Sequence, residues 1–440
     1  MVRRRISHWA LGMNGLLAGA FIALSAQAQT GDPVPARVIF DEARRICDRD
    51  RGSLWGRDLC GPMLLVNWRD RSIISNQGDA AGALAPGERG TFTGVLPEDR
   101  VLANTPVDWS GVRWTQLLWP FPADEAERHV LIAHELFHRI QHDLGLARSE
   151  RGNRHLDTLE GRYLLQLEWR ALERALIAQD QQARIRAVDD ALTFRYARYA
   201  LFPNAREDEA ALQVNEGVPE YTGVRLGLTA PEARRAYAVR NLGAFLSAPT
   251  FIRSFAYASG PAYGLLLDDA APEWKTRVLG GAQIDVILAE ATGWRENSSR
   301  PASSRFASYD GDGSLRAREE AREAARQERQ IRWRAQLVDG PVLTLPLRNA
   351  NYQFNPQTLQ ALDGIGTVYP TMTTTDDWGV LIVDGGALLQ AERRLLSVSA
   401  AEIDPEGMRG TGWRLTLNPG WRLTPAEREG DFIVIGPATR

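Results

Sequence analysis

The densest chemistry in this 440-residue chain sits at His134-Glu135-Leu136-Phe137-His138. A helix turns about 100° per residue, so two histidines four apart lie roughly 40° apart on one face. Both imidazoles can then reach one metal ion, and Glu135, beside the first, can meet a water on that ion. Zinc lowers the pKa of such a water toward about 7, which lets a carboxylate draw off its proton. Val130-Leu131-Ile132-Ala133 precede the pair, and Leu136, Phe137, Ile140 and Leu144 follow at core-facing spacing. The helix is therefore expected to be buried, and two buried histidines with a glutamate need a reason to be there. Arg139 is out of pattern, a charge directly after the second histidine where an uncharged residue is more usual.

A catalytic zinc has three protein ligands and one open position. The third ligand is sought among Glu216, Glu168 and Glu160. Distance along the chain favours Glu160 and Glu168. Local chemistry favours Glu216, because Pro219 fits only the first turn of a helix and so places Glu216 at a helix start. Glu168 is expected inside a continuous helix beside Arg170, Glu173 and Arg174, where ion pairing explains it. His142 misses the third-histidine position of the metzincin pattern, which is Leu144 here, and His129 has no assigned role.

His134-Glu135-x-x-His138 followed by Asn215-Glu216-Gly217 resembles the gluzincin metallopeptidases, including the aminopeptidase-N-like and thermolysin-like branches. The resemblance spans roughly residues 110 to 270. It implies a zinc ion held by His134, His138 and Glu216, with Glu135 as general base. It also implies that Glu220, one turn on, hydrogen-bonds the far nitrogen of a ligating histidine. Tyr257-Ala258-Ser259-Gly260 is similar to the Tyr-x-x-Gly segment of the aminopeptidase-N-like branch. That match implies Tyr257 as the group that steadies the oxyanion, with Tyr263 as the fallback. The stretch from His138 to Glu216 is longer than in the best-known members, so a helical hairpin is expected there. No Gly-x-Met-x-Asn segment is found, so aminopeptidase specificity does not follow. The implied reaction is hydrolysis of a peptide or protein substrate. The alternative is a non-catalytic exported zinc-binding or structural protein, against which the intact Glu135 argues.

These residues need elements to hold them. Acidic Asp124, Glu125 and Glu127 suit the first turn of a helix from about Asp124 to Leu144, and Gly145 suits its end. Two long helices are predicted from Leu156 to Leu201 with Gln181-Gln182 near the turn. Others are predicted at Asn215–Arg225, Gly260–Asp268, Ile284–Ala291 and Leu315–Leu337. Before residue 120 the pattern is mainly β, with strands at Pro62–Val66, Gly90–Val95 and Gly111–Trp119 and a helix-like piece at Asp41–Cys47. After Pro341 short strands recur at Val342–Leu345, Thr367–Tyr369, Gly379–Val383, Trp413–Leu417 and Phe432–Ile435. The fold class is α+β: a zincin-like metallopeptidase core with a β-rich N-terminal part and a small all-β C-terminal domain. The expected boundaries are 1–28 for a signal peptide, 29–122, 123–338 and 339–440.

The leader is read from Arg3-Arg4-Arg5, an apolar stretch from Trp9 to Leu24 and the small-x-small site Ala26-Gln27-Ala28. It predicts an exported, periplasmic or extracellular protein, not stably inserted in a membrane after cleavage. In such a compartment the close pair Cys47 and Cys60 predicts a disulfide. A formal charge of −3 offers no general field for nucleic acid or anionic lipid, so neither is an expected partner. Asp310-Gly311-Asp312-Gly313-Ser314 starts like a calcium loop. The sixth and twelfth EF-hand positions hold Leu315 and Ala321, so a turn before the charged helix is expected.

Overall fold

The first helix, α1 (Ala36–Asp50), buries Ile39, Phe40, Ala43 and Ile46, spaced as one helical face requires. It contains the predicted helix-like piece and extends it at both ends. The computed structural model describes residues 34–146, 152–354, 358–362, 364–404, 406 and 408–437. The expected leader at 1–28 lies outside them.

Six strands follow: β1 (Met63–Asn67), β2 (Ser72–Ser75), β3 (Ala85–Pro86), β4 (Phe92–Val95), β5 (Thr105–Trp109) and β6 (Val112–Trp119). Their spatial order is β3-β4-β2-β1-β6-β5. β1 and β6 run parallel, and the remaining pairs are antiparallel. Leu64, Val66, Ile73, Trp109, Trp114 and Leu118 pack into one apolar cluster on this sheet.

The helical core comprises α2 (Glu125–Gln141), α3 (Leu159–Ile177), α4 (Gln181–Leu201), α5 (Ala205–Leu212), α6 (Val218–Gly227), α7 (Pro231–Ala244), α8 (Ser254–Ala270), α9 (Trp274–Leu279) and α10 (Ile284–Thr292). The hairpin expected between His138 and Glu216 is α3 and α4, with Gln181-Gln182 opening α4 directly after the turn. α7 escaped the sequence pattern because only Ala238 and Leu242 on it are buried, which leaves no apolar stripe to read.

Two prolines sit where sequence rules place helix starts, and the backbone accommodates both. Pro219 sits in the first turn of α6, where the sequence places it. Glu216 lies just before that turn, in a π-helical turn at Gln213–Gly217 that joins α5 to α6, closed by a bond from the Val218 amide to the Gln213 carbonyl. A wider turn of this kind is frequent at functional sites, and it lets a helix pass through a residue that lacks an N–H. Pro261 lies inside α8, so the helix begins before Tyr257 rather than after Gly260. The Tyr257 carbonyl that Pro261 cannot serve accepts a hydrogen bond from Asn241 Nδ2 at 2.8 Å.

After α11 (Phe306–Tyr309) and α12 (Ser314–Arg334) the chain turns to β structure. Asp310 accepts from the Leu315 and Arg316 amides, so the predicted turn opens α12. The strands are β7 (Val342–Pro346), β8 (Asn351–Phe354), β9 (Gln360–Leu362), β10 (Gly366–Tyr369), β11 (Met372–Asp376), β12 (Gly379–Val383), β13 (Ala387–Gln390), β14 (Leu395–Ser399), β15 (Arg409–Gly410), β16 (Trp413–Leu417), β17 (Arg422–Pro425) and β18 (Phe432–Ile435). They form sheets of order β17-β18-β7-β14-β13-β10-β9 and β15-β16-β12-β11-β8. Leu343, Leu345, Trp378, Leu381, Leu396 and Trp413 join the two sheets in one core.

Packing divides the chain into two units. One holds the described residues up to Asn153, with Leu164–Leu246 and Ile252–Arg305; the other holds Arg154–Tyr163, Ser247–Phe251 and Phe306–Arg440. The architecture is α+β: N-terminal strands, a helical core carrying the histidine pair and a C-terminal all-β region. No described helix is long and apolar enough to cross a membrane.

Candidate metal centre

The helix that bears the histidines is held on three sides. Asp124 caps α2 by accepting from the Glu127 amide. Arg128 pairs with Glu42 of α1 through two hydrogen bonds of 2.7 and 2.8 Å, both groups buried. The disulfide Cys47–Cys60 ties the end of α1 to the segment before β1. Arg139, out of pattern in the sequence, donates to the carbonyls of Leu59 and Cys60. Its charge thus binds the helix to the disulfide loop. Trp55 in that loop packs on Phe137, ring centroids 5.2 Å apart, and donates to Thr222 of α6.

α6 lies close against α2, and glycine makes the approach possible. A Cβ at Gly223 would stand 2.6 Å from the Val130 carbonyl oxygen, and one at Gly227 would stand 2.8 Å from the Val130 nitrogen. Glu220 precedes them on the same face, which brings its carboxylate onto α2. The crossing is sealed by Val130, Val224 and Leu228.

The resulting geometry is specific. His134 Nδ1 donates to Glu220 Oε2 at 2.8 Å, and His138 Nδ1 donates to Gln141 Oε1 at 2.7 Å. Gln141 is in turn oriented by donating its Nε2 to the Val214 carbonyl. Each ring is thereby fixed with Nε2 turned inward, and the two Nε2 atoms face each other at 2.9 Å. Glu216 Oε2 completes the triangle, 3.4 Å from His138 Nε2 and 3.8 Å from His134 Nε2. Glu135 is buried alongside, its carboxylate oxygen within 4.8 Å of the histidine nitrogens.

Tyr257 stands over the site. Its ring is parallel to that of His134 with centroids 5.8 Å apart, and its hydroxyl hydrogen-bonds Glu216. Burial and the Glu216 charge push its phenol well above the ordinary value, so it stays a donor. Tyr263, the fallback, is buried elsewhere and donates to Glu168. Glu168 is fully buried, but its partners are Arg195 and Arg198 of α4. Glu160 is exposed and pairs with Arg316. Of the three rivals, Glu216 is the carboxylate brought to the histidines. His142 is exposed, and His129 lies 3.5 Å from Glu42.

The donor set fits zinc. Ligand atoms about 2.0–2.2 Å from a tetrahedral ion stand roughly 3.3–3.6 Å from one another, and the observed separations of 2.9, 3.4 and 3.8 Å bracket that range. With both Nδ1 atoms donating, the inward Nε2 atoms present lone pairs to each other and to a carboxylate, an arrangement that calls for a cation. The titration behaviour agrees. Burial works against a charge on His134, yet the hydrogen bond and charge of Glu220 raise it to about 9. Burial pushes Glu216 up, yet the hydrogen bond from His138 and both imidazole charges hold it at about 2. The site draws positive charge.

Two contributors had weak or no signals in the sequence. Gln141 is three residues after His138 on the same face, a spacing that could have been read. Arg253, whose Nη2 is 3.3 Å from Glu216 Oε1, is one turn before Tyr257 and was legible only once α8 was known to include both. A cavity of about 650 Å³ lined by Arg49, Arg225, Arg234 and Lys275 contains none of the site residues.

No family model matches the chain, and no curated protein or solved structure is similar enough to count as a relative. The assignment therefore rests on geometry. The His134-Glu135-x-x-His138 helix with buried Glu216 and Glu220 paired to it matches a gluzincin-type zinc-protease active site.

Proposed function

We propose that this chain is an exported zinc metallopeptidase that hydrolyses peptide bonds, with His134, His138 and Glu216 as zinc ligands. The observation that carries the reading is the second carboxylate at the centre. Glu216 suffices with the two histidines to hold an ion, yet Glu135 is buried beside them. A site built only to bind metal has no use for that buried charge.

Zinc bound by these three residues would supply a Lewis acid for the scissile carbonyl and acidify a water. Glu135 takes the proton of the attacking water as the carbon–oxygen bond forms. It delivers that proton to the amine nitrogen as the carbon–nitrogen bond breaks. Tyr257 turns its hydroxyl from Glu216 to the carbonyl oxygen that gains charge. Glu220 and Gln141 keep both imidazoles in the tautomer that offers Nε2, and Glu220 makes His134 the more basic of ligands. The disulfide Cys47–Cys60 supports an oxidising, periplasmic or extracellular location.

The test is a digest of a diverse peptide library by the wild-type protein and by Glu135→Gln at equal zinc content. Cleavage by the first and a loss of at least about 10²-fold in the second is expected. A chain that binds zinc yet cleaves nothing would instead be a non-catalytic metal-binding protein.

A further inference from the structure

Arg253 is the charged residue at this centre that the reaction leaves unused. It flanks the N-terminus of α8, one turn before Tyr257. Its Nη2 lies 3.3 Å from Glu216 Oε1, while 45% of its side chain remains exposed. The groups on the other side of the same carboxylate are nearly sealed: the side chains of His134 and His138 are each 5% exposed. Arg253 is therefore the rim of the site, with one edge on Glu216 and the rest toward water.

Its donors are not saturated. A guanidinium is a planar fork with five N–H groups, suited to grip a carboxylate by two of them at once. Glu216 Oε1 takes one contact, at a long 3.3 Å, and accepts from Asn215 Nδ2 as well, also at 3.3 Å. The other oxygen, Oε2, is the one turned to the histidine pair. Once that oxygen is committed to a dication, Glu216 has less charge left for Arg253, whose exposed edge carries its positive charge to the solvent beside the centre. The two oxygens belong to one carboxylate, so the nearest guanidinium nitrogen stands at most about 5.5 Å, less than two residue lengths, from the oxygen facing the metal position.

Resting on the hydrolytic reading above, we infer that Arg253 anchors a carboxylate of the substrate on a residue adjoining the scissile bond. Two sources share that chemistry, a free C-terminal carboxylate and the side chain of Asp or Glu. A neutral residue in that position leaves the guanidinium with Glu216 and water. Arg253 would thus set specificity, selecting substrates that carry a negative charge next to the cleaved bond.

The experiment uses one cleaved peptide in matched forms: with a free C-terminal carboxylate, with a C-terminal amide, and with acidic residues flanking the bond replaced by their amides. The wild-type enzyme is expected to favour one carboxylate form over its amide by about 10–100-fold in kcat/KM, chiefly through KM. Whichever replacement loses the preference identifies the source. Arg253→Gln is expected to bring that ratio to about one, and Arg253→Lys to keep part of it. Binding of the same peptides to zinc-loaded Glu135→Gln, with and without Arg253→Gln, gives the discrimination without turnover. A wild-type enzyme that cleaves but does not discriminate overturns the inference. So does an Arg253→Gln variant that loses carboxylate and amide peptides equally, which would make Arg253 a residue that only positions Glu216. If no peptide of any form is bound or cleaved, the hydrolytic reading itself falls.

Discussion

Gly217 and Gly260 meet backbone to backbone: a Cβ on Gly260 would stand 2.3 Å from the Gly217 carbonyl oxygen and 2.4 Å from its Cα. One glycine follows Glu216 and the other is three residues past Tyr257. Their contact lets the π-helical turn and α8 approach until Tyr257 and Arg253 both reach the Glu216 carboxylate. Gly260→Ala must push the two segments apart. It is expected to destabilise the fold by about 1–3 kcal/mol and to weaken zinc binding, measured by denaturant unfolding and zinc titration. Gly243→Ala is the control, because nothing lies within 4 Å of its added Cβ. In the last turn of α7 it should gain no more than about 0.5 kcal/mol.

Glu168→Gln separates the buried ion cluster from the metal centre. Glu168 accepts from both Arg195 and Arg198, and all three side chains are sealed from water. Removing its charge leaves the buried Arg195 short of its carboxylate, while Arg198 keeps Glu209, at a cost of about 3 kcal/mol. Thermal unfolding should show the loss while zinc stoichiometry stays at the wild-type value. A variant of normal stability that had lost its zinc would reinstate Glu168 as a ligand.

Acid should loosen α2 through Glu42. Burial alone would raise this carboxyl, but the hydrogen bond and charge of Arg128, with His129 and Arg45, hold it below its ordinary value. A lowered folded value means the stabilisation is complete above the unfolded value of about 4.3 and is lost as pH falls through the folded one. The melting temperature of the wild-type protein should therefore drop below about pH 4. Glu42→Gln should be less stable at pH 7 and flatter across that window. An identical acid profile in both proteins would assign the effect to other carboxylates.

Tyr257→Phe tests the oxyanion role. The ring packing on His134 survives this change, so folding and zinc content should hold. The expected loss is about 10²–10³-fold in kcat with a smaller change in KM. Equal rates for the two proteins would leave Tyr257 as a structural contact of Glu216.

Much of this centre was legible before any coordinates, because its parts follow short-range rules. His134, Glu135 and His138 share a helical face by spacing alone, and the Cys47–Cys60 pair follows from proximity and the expectation of an exported chain. Glu216 has to be chosen over rivals 48 and 56 residues earlier in the chain, which only the tertiary crossing of α6 on α2 resolves. Pro219 marks the first turn of α6, but Glu216 stands in the π-helical turn before it, which no residue pattern announces. Glu168 was thought ordinary for its neighbours in sequence, whereas its partners come from α4. Arg253 and Asn241 were invisible because Pro261 hid the first turns of α8. In the C-terminal region the sequence marks five short strands separated by Gly and Pro. Short edge strands such as β15, two residues long, carry too little pattern to read.

Zinc content is the most direct measure of the central claim. The protein is expected to retain about one zinc per chain after dialysis, measured by elemental analysis against protein concentration. His138→Ala should fall well below that level, and Glu216→Gln should bind more weakly, while Glu135→Gln keeps the full complement. Absence of zinc from the folded wild-type chain even after metal is supplied, or full retention in His138→Ala, would contradict the account.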